Sequence, residues 1–424
     1  MVKIRIRKNL RLTADESVGL LFVLYLCMEL LNAAFRTLLG VIGLSDLAMI
    51  ACFICVYVPL LFLCIKSTKY IQKEFILLFA FLCVFFLVTY IIHPDYEYWY
   101  TRSYWGVWDY VLRPDNGLYI FLFLMLLKDP RKILKYLKMA SVLMILFYAY
   151  RLIPFIRNGY WLRQSADGTI TKSSYNLEYG YDVLLYELTF MYCALKERKL
   201  FDCIFAGLGL VCLVLGGSRG PFLCMTVFLL LYFGTTISRS RRKIVYILLT
   251  AIIGVTLYAA YQYLLGYLII LLKRFGLSSR IIKTLIMGTV SDDNGRFTFW
   301  NTTIDMIKKN PFGYGAMGTR HVLYALHEAG YPHNFFLELI ADLGVFVGGG
   351  LSIFFIWRAI AIIRMKNNED WKGVFMIFVG MFFNLMISST FYHRTGFWGL
   401  LAVGICIYQQ RKQVRKKNSF QQIG

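Results

Sequence analysis

Apolar positions along this chain fall in continuous runs, without the alternation of a half-buried strand or the single stripe of a surface helix. Runs of about 20 residues recur, the length that crosses the hydrocarbon of a bilayer. No water is available there to satisfy the backbone, so a span is a helix or a strand of a closed barrel, and unalternating runs exclude the barrel. The expected fold is all-α, a polytopic membrane protein of about twelve helices. The spans predicted are Ser17–Leu39, Ser45–Ile65, Glu74–Ile92, Gly117–Leu127, Met139–Pro154, Asp182–Leu195, Cys203–Leu215, Pro221–Thr235, Ile244–Leu265, Phe335–Trp357, Gly373–Ser389 and Phe397–Tyr408. No internal repeat or low-complexity tract interrupts them, so residues 1–424 read as a single membrane domain.

Composition agrees. Hydrophobic residues make up 58% of the 424 and charged residues 17%, too apolar for one or two soluble cores. The formal charge of +22 changes the picture only through its placement. Lys and Arg gather in every second loop: Lys3–Arg11, Lys66–Lys73, Lys128–Lys138, Lys196–Lys199, Arg239–Lys243, Arg358–Lys372 and Arg411–Lys417. That is the positive-inside pattern, which puts these loops, both termini and the basic tail 409–424 in the cytoplasm. The charge orients the chain and implies no nucleic acid. The ten cysteines lie in or beside spans, so no disulfide framework is expected, and Cys52–Cys55 lacks a second ligand pair for zinc. The basic start and apolar run lack a small-x-small cleavage site, so an uncleaved first helix is expected.

Three outer loops follow from this topology. Residues 93–115 hold Tyr96, Tyr98, Trp99, Tyr100, Tyr104, Trp105, Trp108 and Tyr110, which suit the headgroup belt or the stacking of sugar rings. Residues 155–181 are polar, with Arg157, Arg163 and Lys172. The large late loop spans about residues 266–332. Within it Arg296–Asn310 reads as an amphipathic helix with Phe297, Trp300, Ile304 and Ile307 on one face, capped by Asp292, Asp293 or Asn294 and ended by Asn310-Pro311. Such a helix suits a lid lying on the bilayer surface. Gly313, Gly315 and Gly318 then make a mobile or tightly turned connection.

Chemistry outside the membrane has no ATP, so it needs an activated substrate such as a lipid-linked diphosphate. Arginine matches phosphate oxygens and stays charged, and histidine is suited to taking a proton from a hydroxyl. Arg219, in the break Gly216-Gly217-Ser218-Arg219-Gly220-Pro221, is either a phosphate ligand or an arginine reaching headgroups. His333-Asn334 opens the tenth span at its outer end, as a base or as a cap. Arg296 and Arg320 are further phosphate candidates, and His393-Arg394 is a polar pair at the same face. His321 and His327 sit in the part of the loop read as flexible. The outer side has no carboxylate cluster of the DxD type, so neither a metal nor a cofactor is expected.

Three stretches carry a resemblance. One is Ser218-Arg219-Gly220 after an apolar span. Another is Gly295-Arg296-Phe297 with Trp300, followed by Asn310-Pro311-Phe312-Gly313-Tyr314-Gly315. The third is His333-Asn334-Phe335-Phe336-Leu337-Glu338 running to Asp342-Leu343-Gly344. In order and spacing they resemble the O-antigen ligase and O-antigen polymerase superfamily of bacterial inner membranes, over the C-terminal half of the chain. The resemblance implies a C-type glycosyltransferase membrane fold acting, without metal, on an undecaprenyl-diphosphate-linked oligosaccharide. Arg219 and Arg296 would hold the diphosphate and His333 would activate the acceptor hydroxyl, with Ser218, Arg320, Asn334, His393 and Arg394 as further substrate-binding candidates. Membrane lipids, a chain-length regulator and a flippase are the partners it implies. Tyr331-Pro332-His333-Asn334 stands where ligases often have His-x-His-Asn, which favours a polymerase of O-antigen, capsular or other exopolysaccharide repeat units over an O-antigen ligase. Asp342 stands where the family commonly has glutamate.

A flippase or transporter of lipid-linked sugars is the reading from another class. It would place paired ionisable residues near mid-span, where Glu29, Asp182 and Glu187 are the few candidates. Most unusual charges gather at the outer ends, which favours an active site.

Overall fold

The computed structural model describes residues 13–102, 105–164, 170–173, 176–239, 295–327, 330–365 and 368–421, with positions 244, 266, 267, 270 and 274. The ninth expected span beyond Ile244, the Asp292–Asn294 cap and most of the first half of the 266–332 loop lie outside the described residues.

The described residues are almost wholly helical. Their elements are α1 Ala14–Leu26, α2 Met28–Gly40, α3 Ala48–Lys66, α4 Lys73–Ile92, α5 Glu97–Thr101, α6 Leu118–Leu127, α7 Pro130–Arg151 and α8 Ile153–Asn158. A small antiparallel hairpin, β1 Trp161–Gln164 with β2 Ile170–Ser173, pairs Trp161 opposite Ser173. Then come α9 Leu177–Glu197, α10 Leu200–Gly216, α11 Arg219–Arg239, α12 Arg296–Lys309, α13 Gly318–His327, α14 Phe335–Ile363, α15 Glu369–Phe382 and α16 Thr395–Gln421.

Among the described residues five helical stretches are long and apolar enough to cross a membrane: Ser45–Lys66, Lys73–Ile92, Pro130–Asn158, Arg219–Ser238 and Phe335–Ile363. A sixth is the pair α1 and α2, bent by 73° at Cys27, where one straight span Ser17–Leu39 is expected. The other expected spans coincide with helices that are shorter or more polar: α6, α9, α10, α15 and α16. The peripheral helices turn large apolar side chains outward, among them Ile54, Leu61, Leu77, Phe81, Ile91 and Ile353. That much exposed apolar surface is costly in water and natural in lipid.

The core gathers around α9, whose residues from Tyr179 to Cys193 are nearly all buried and which packs against α7, α10, α11 and α15. Its tyrosines bury rings and satisfy their hydroxyls on carbonyls of other helices. The Tyr179 hydroxyl donates to the Tyr148 carbonyl at 2.8 Å, and that of Tyr186 to the Leu26 carbonyl at 2.7 Å.

α14 is broken at Gly344, with φ 82° and ψ 165°. A break inside a span frees carbonyls and N–H groups that lipid cannot satisfy. Here the segment after α12 supplies the partners. Tyr314 and Gly315 donate N–H groups at 2.9 Å to the carbonyls of Ala341 and Asp342, and Val345 donates to the Pro311 carbonyl at 2.8 Å. Gly313 and Gly315, both at positive φ, give the tight turn that this docking needs.

The expected amphipathic helix is present as α12 and stops before Pro311. It buries Thr303 and Met306 against the protein and leaves Phe297 and Ile304 exposed. The aromatic loop divides. Tyr98, Trp105 and Trp108 are exposed, whereas Tyr96, Trp99 and Tyr110 are buried inside the protein, which removes these three from a headgroup belt or a sugar-stacking surface.

Candidate functional site

The break between α10 and α11 is built on glycine. Gly217 takes the left-handed conformation that ends α10, and Arg219 opens α11, half-buried. Gly220 has no side chain because the Tyr181 hydroxyl occupies that space, and Gly180 likewise admits Pro221. The break is thus seated on the first turn of α9. Ser218 is buried, and its hydroxyl has no hydrogen-bond partner among the described residues.

His333 lies just before α14 and takes a left-handed backbone, φ 55°, a region that histidine visits more readily than most residues. Asn334 is the N-cap of α14: its side chain accepts from the N–H groups of Phe336 at 3.0 Å and Leu337 at 3.2 Å. The His333 ring stacks on Phe299 of α12, centroids 5.5 Å apart, and meets the edge of Tyr331 at 4.6 Å. Its Nδ1 is 3.1 Å from the Ile387 carbonyl oxygen. A carbonyl oxygen only accepts, so Nδ1 carries the proton and Nε2 keeps its lone pair. Burial lowers the imidazole pKa to about 4, against the Ile387 hydrogen bond and with help from Arg296, so the ring is neutral at neutral pH.

Positive charge lies near this imidazole. Arg296, the first residue of α12, acts electrostatically on both His333 and Tyr181, and no carboxylate pairs with it among the described residues. Arg394 lies with its guanidinium 5.6 Å from the Tyr181 ring centre, donates to the Ser389 hydroxyl at 3.0 Å and stands 4.0 Å from Asp182. The Gly220 space also touches Ile387, whose carbonyl holds His333. Tyr181 and the 387–394 turn therefore bring the Gly216–Pro221 break, Arg296, His333 and Arg394 into one half-buried region.

A second cluster lies behind it. Arg320 of α13 is only 5% exposed and is boxed by Trp99, Trp105 and Tyr110, at 4.9, 4.6 and 5.5 Å from the ring centres, with a hydrogen bond to the Tyr110 hydroxyl. Burial brings its pKa down to about 10, with Glu338 opposing, and it remains a cation. Glu338 and Asp342, one turn apart on α14, face it across a cavity with room for about one water molecule. Asp342 accepts from the Thr319 hydroxyl and N–H and, at 3.0 Å, from the Tyr392 hydroxyl. His393 sits 6.4 Å from the Tyr110 ring, with Nδ1 buried and unpartnered, and burial beside Arg394 and Arg113 lowers its pKa to about 3.

Of the residues singled out from the sequence, His333, Asn334, Arg296 and Arg394 belong to the first cluster, Arg219 and Ser218 lie in the break that adjoins it through Tyr181 and Ile387, and Arg320 and His393 belong to the second. His321 and His327 lie on α13, where His327 Nε2 is 2.8 Å from the Thr302 hydroxyl and His321 stacks near Tyr96. Tyr181, Ile387, Tyr110 and Tyr392 were not singled out for this role. Glu338 and Asp342 carried a signal, since a spacing of four places both on one helix face. Among the described residues no group of His, Cys, Asp and Glu could hold a metal ion.

Residues 204–355 match the sequence model of a family described as O-antigen ligase. The match supports the O-antigen ligase and polymerase superfamily. Members of this family are glycosyltransferase-like enzymes. The matched region runs from within α10 to within α14, so it holds the Gly216–Pro221 break, Arg296, Arg320, His333 and the Gly344 kink. A search of curated proteins gave no match.

Proposed function

We propose that this chain is a glycosyltransferase of a bacterial plasma membrane, using a polyprenyl-diphosphate-linked glycan as donor. Both termini lie in the cytoplasm, the site opens on the outer face, and no metal takes part. The observation that carries this reading is the neutral His333, fixed through Nδ1 by the Ile387 carbonyl and acted on by Arg296, with Arg219 in the neighbouring break and Arg394 in the neighbouring turn. Nε2 accepts the proton of the acceptor hydroxyl as its oxygen bonds to the anomeric carbon of the donor. The bond from that carbon to the diphosphate oxygen breaks, and its electron pair leaves with the polyprenyl diphosphate. The arginines meet the charge that develops there. Arg320 enters as a positioning residue rather than a phosphate ligand, because three aromatic rings enclose its guanidinium.

The acceptor in this reading is another lipid-linked repeat unit, which makes the protein a polymerase of O-antigen, capsular or exopolysaccharide units acting with a flippase and a chain-length regulator. Tyr331 beside His333, where ligases often carry a histidine, supports it. The second reading, transfer of the finished glycan to lipid A core or another acceptor, is favoured by the description of the matching family. Purified protein given only undecaprenyl-diphosphate-linked repeat units tests both. A ladder of products supports the polymerase. Product only after a different acceptor is added supports the ligase, and no chemistry with either overturns the enzymatic reading in favour of a transporter.

A further inference from the structure

Trp105 is an exposed ring on an unusually fixed base. The indole is 46% exposed, yet its backbone sits at φ 63°, a conformation that costs a bulky residue and persists only when its surroundings hold it. Those surroundings are visible. The Trp105 N–H donates to the Asp109 carboxylate at 2.6 Å, and Arg113 holds the other oxygen of Asp109 at 2.6 Å. Gly106 permits the turn, since a Cβ there would lie 2.5 Å from the Arg102 carbonyl oxygen. From the protein side the buried Arg320 guanidinium supports the ring at 4.6 Å. Gly330 in turn packs on Arg320, where a Cβ would come 2.6 Å from the guanidinium. Tyr331 follows immediately, 6.2 Å from Trp105 and 4.6 Å from His333 between ring centres.

A line of rings, Trp105, Tyr331 and His333, thus leads from an exposed, braced indole to the imidazole that takes the acceptor proton. Arg296 acts on His333 from α12, and Arg394 stands in the 387–394 turn that holds Nδ1, so the arginines that suit a diphosphate and the rings come from different elements. A pyranose presents a face of C–H bonds that packs on an aromatic ring while its hydroxyls stay free for hydrogen bonds. We propose that Trp105 and Tyr331 form the acceptor subsite, a shelf on which a sugar ring of the incoming glycan stacks so that its hydroxyl reaches His333. Arg320 and Asp109 set the shelf without touching the sugar. The proposal rests on the functional reading above and adds to it which substrate lies on which side.

The test uses full-length protein in detergent, with the repeat-unit oligosaccharide released from its lipid as probe. Saturation-transfer NMR reads binding of that oligosaccharide whether or not transfer occurs. Contact with the wild type that is lost in Trp105→Ala and Tyr331→Ala and kept in Trp105→Phe is the expected result. No contact with the wild type, or equal contact in Trp105→Ala, overturns the shelf. In the transfer assay, with the lipid-linked unit as donor, Trp105→Ala should raise the acceptor KM by about 10-fold with the donor KM unchanged. A rise confined to the donor KM overturns the assignment. Thermal melts of Trp105→Ala and Trp105→Phe check that the loop still folds. Failure of the wild type to transfer would count against the enzymatic reading, while the NMR result would still decide the shelf.

Discussion

Gly313 and Gly344 touch backbone to backbone: a Cβ on Gly313 would stand 2.5 Å from the Gly344 amide nitrogen, and one on Gly344 would stand 2.5 Å from the Phe312 carbonyl oxygen. Both glycines also hold positive φ. Either Gly→Ala change therefore adds a steric clash to left-handed strain of about 1–2 kcal/mol and separates Pro311–Gly315 from the break in α14. Each variant should melt lower in detergent than the wild type. Gly350→Ala, where a Cβ meets open space, should not.

His333→Gln keeps a side-chain amide able to donate to the Ile387 carbonyl and removes the base. Transfer should fall by about 10²- to 10⁴-fold while the melting temperature changes little. Normal glycan chain lengths in cells carrying this variant would sink the general-base role.

Burial holds His333 at about 4, below the ordinary 6.5. Between those values the folded state binds fewer protons than the unfolded state, so stability rises with pH across that window. It is fully present above about 6.5 and lost as pH falls toward 4. The same ionisation belongs to the free enzyme, so the acid limb of kcat/KM should lie near 4. A limb centred at 6.5 that vanishes in His333→Gln would show an imidazole not shielded from water.

Arg296 and Arg394 differ in compensation, since Asp182 stands beside Arg394 while no described carboxylate pairs with Arg296. Arg296→Ala should therefore raise the donor KM by about 10- to 100-fold, the worth of a charge-assisted hydrogen bond, with smaller loss in Arg296→Lys. An unchanged donor KM would remove Arg296 from diphosphate binding.

Arg320→Ala empties the box formed by Trp99, Trp105 and Tyr110 and removes the cation beside buried Glu338, so the variant should melt lower than the wild type. The variant should accumulate poorly. Lysine should rescue it only in part, because an ammonium does not stack between flat rings. Melting temperature and yield from membranes read the outcome.

Much of this was legible along the chain. Unalternating apolar runs gave helices, Asn310-Pro311 gave the end of α12, and glycine beside Arg219 gave a break. What hid was long-range or had no side-chain signature. Arg320 meets Tyr110 across 210 positions, and no local pattern links them. Ile387 acts through its carbonyl, which every residue type possesses. The bend at Cys27 likewise has neither proline nor glycine at the turn.

The break at Gly344 also divides α14 mechanically. Its N-terminal end is fastened to Pro311–Gly315 and, through Asn334, lies beside His333, while Val345–Ile363 continues as a separate rod with Phe346 and Ile353 exposed. A rod that meets a bilayer of the wrong thickness tilts to fit. With the bend placed there, a tilt of that rod would be taken up at Gly344, ahead of the turn that carries the imidazole.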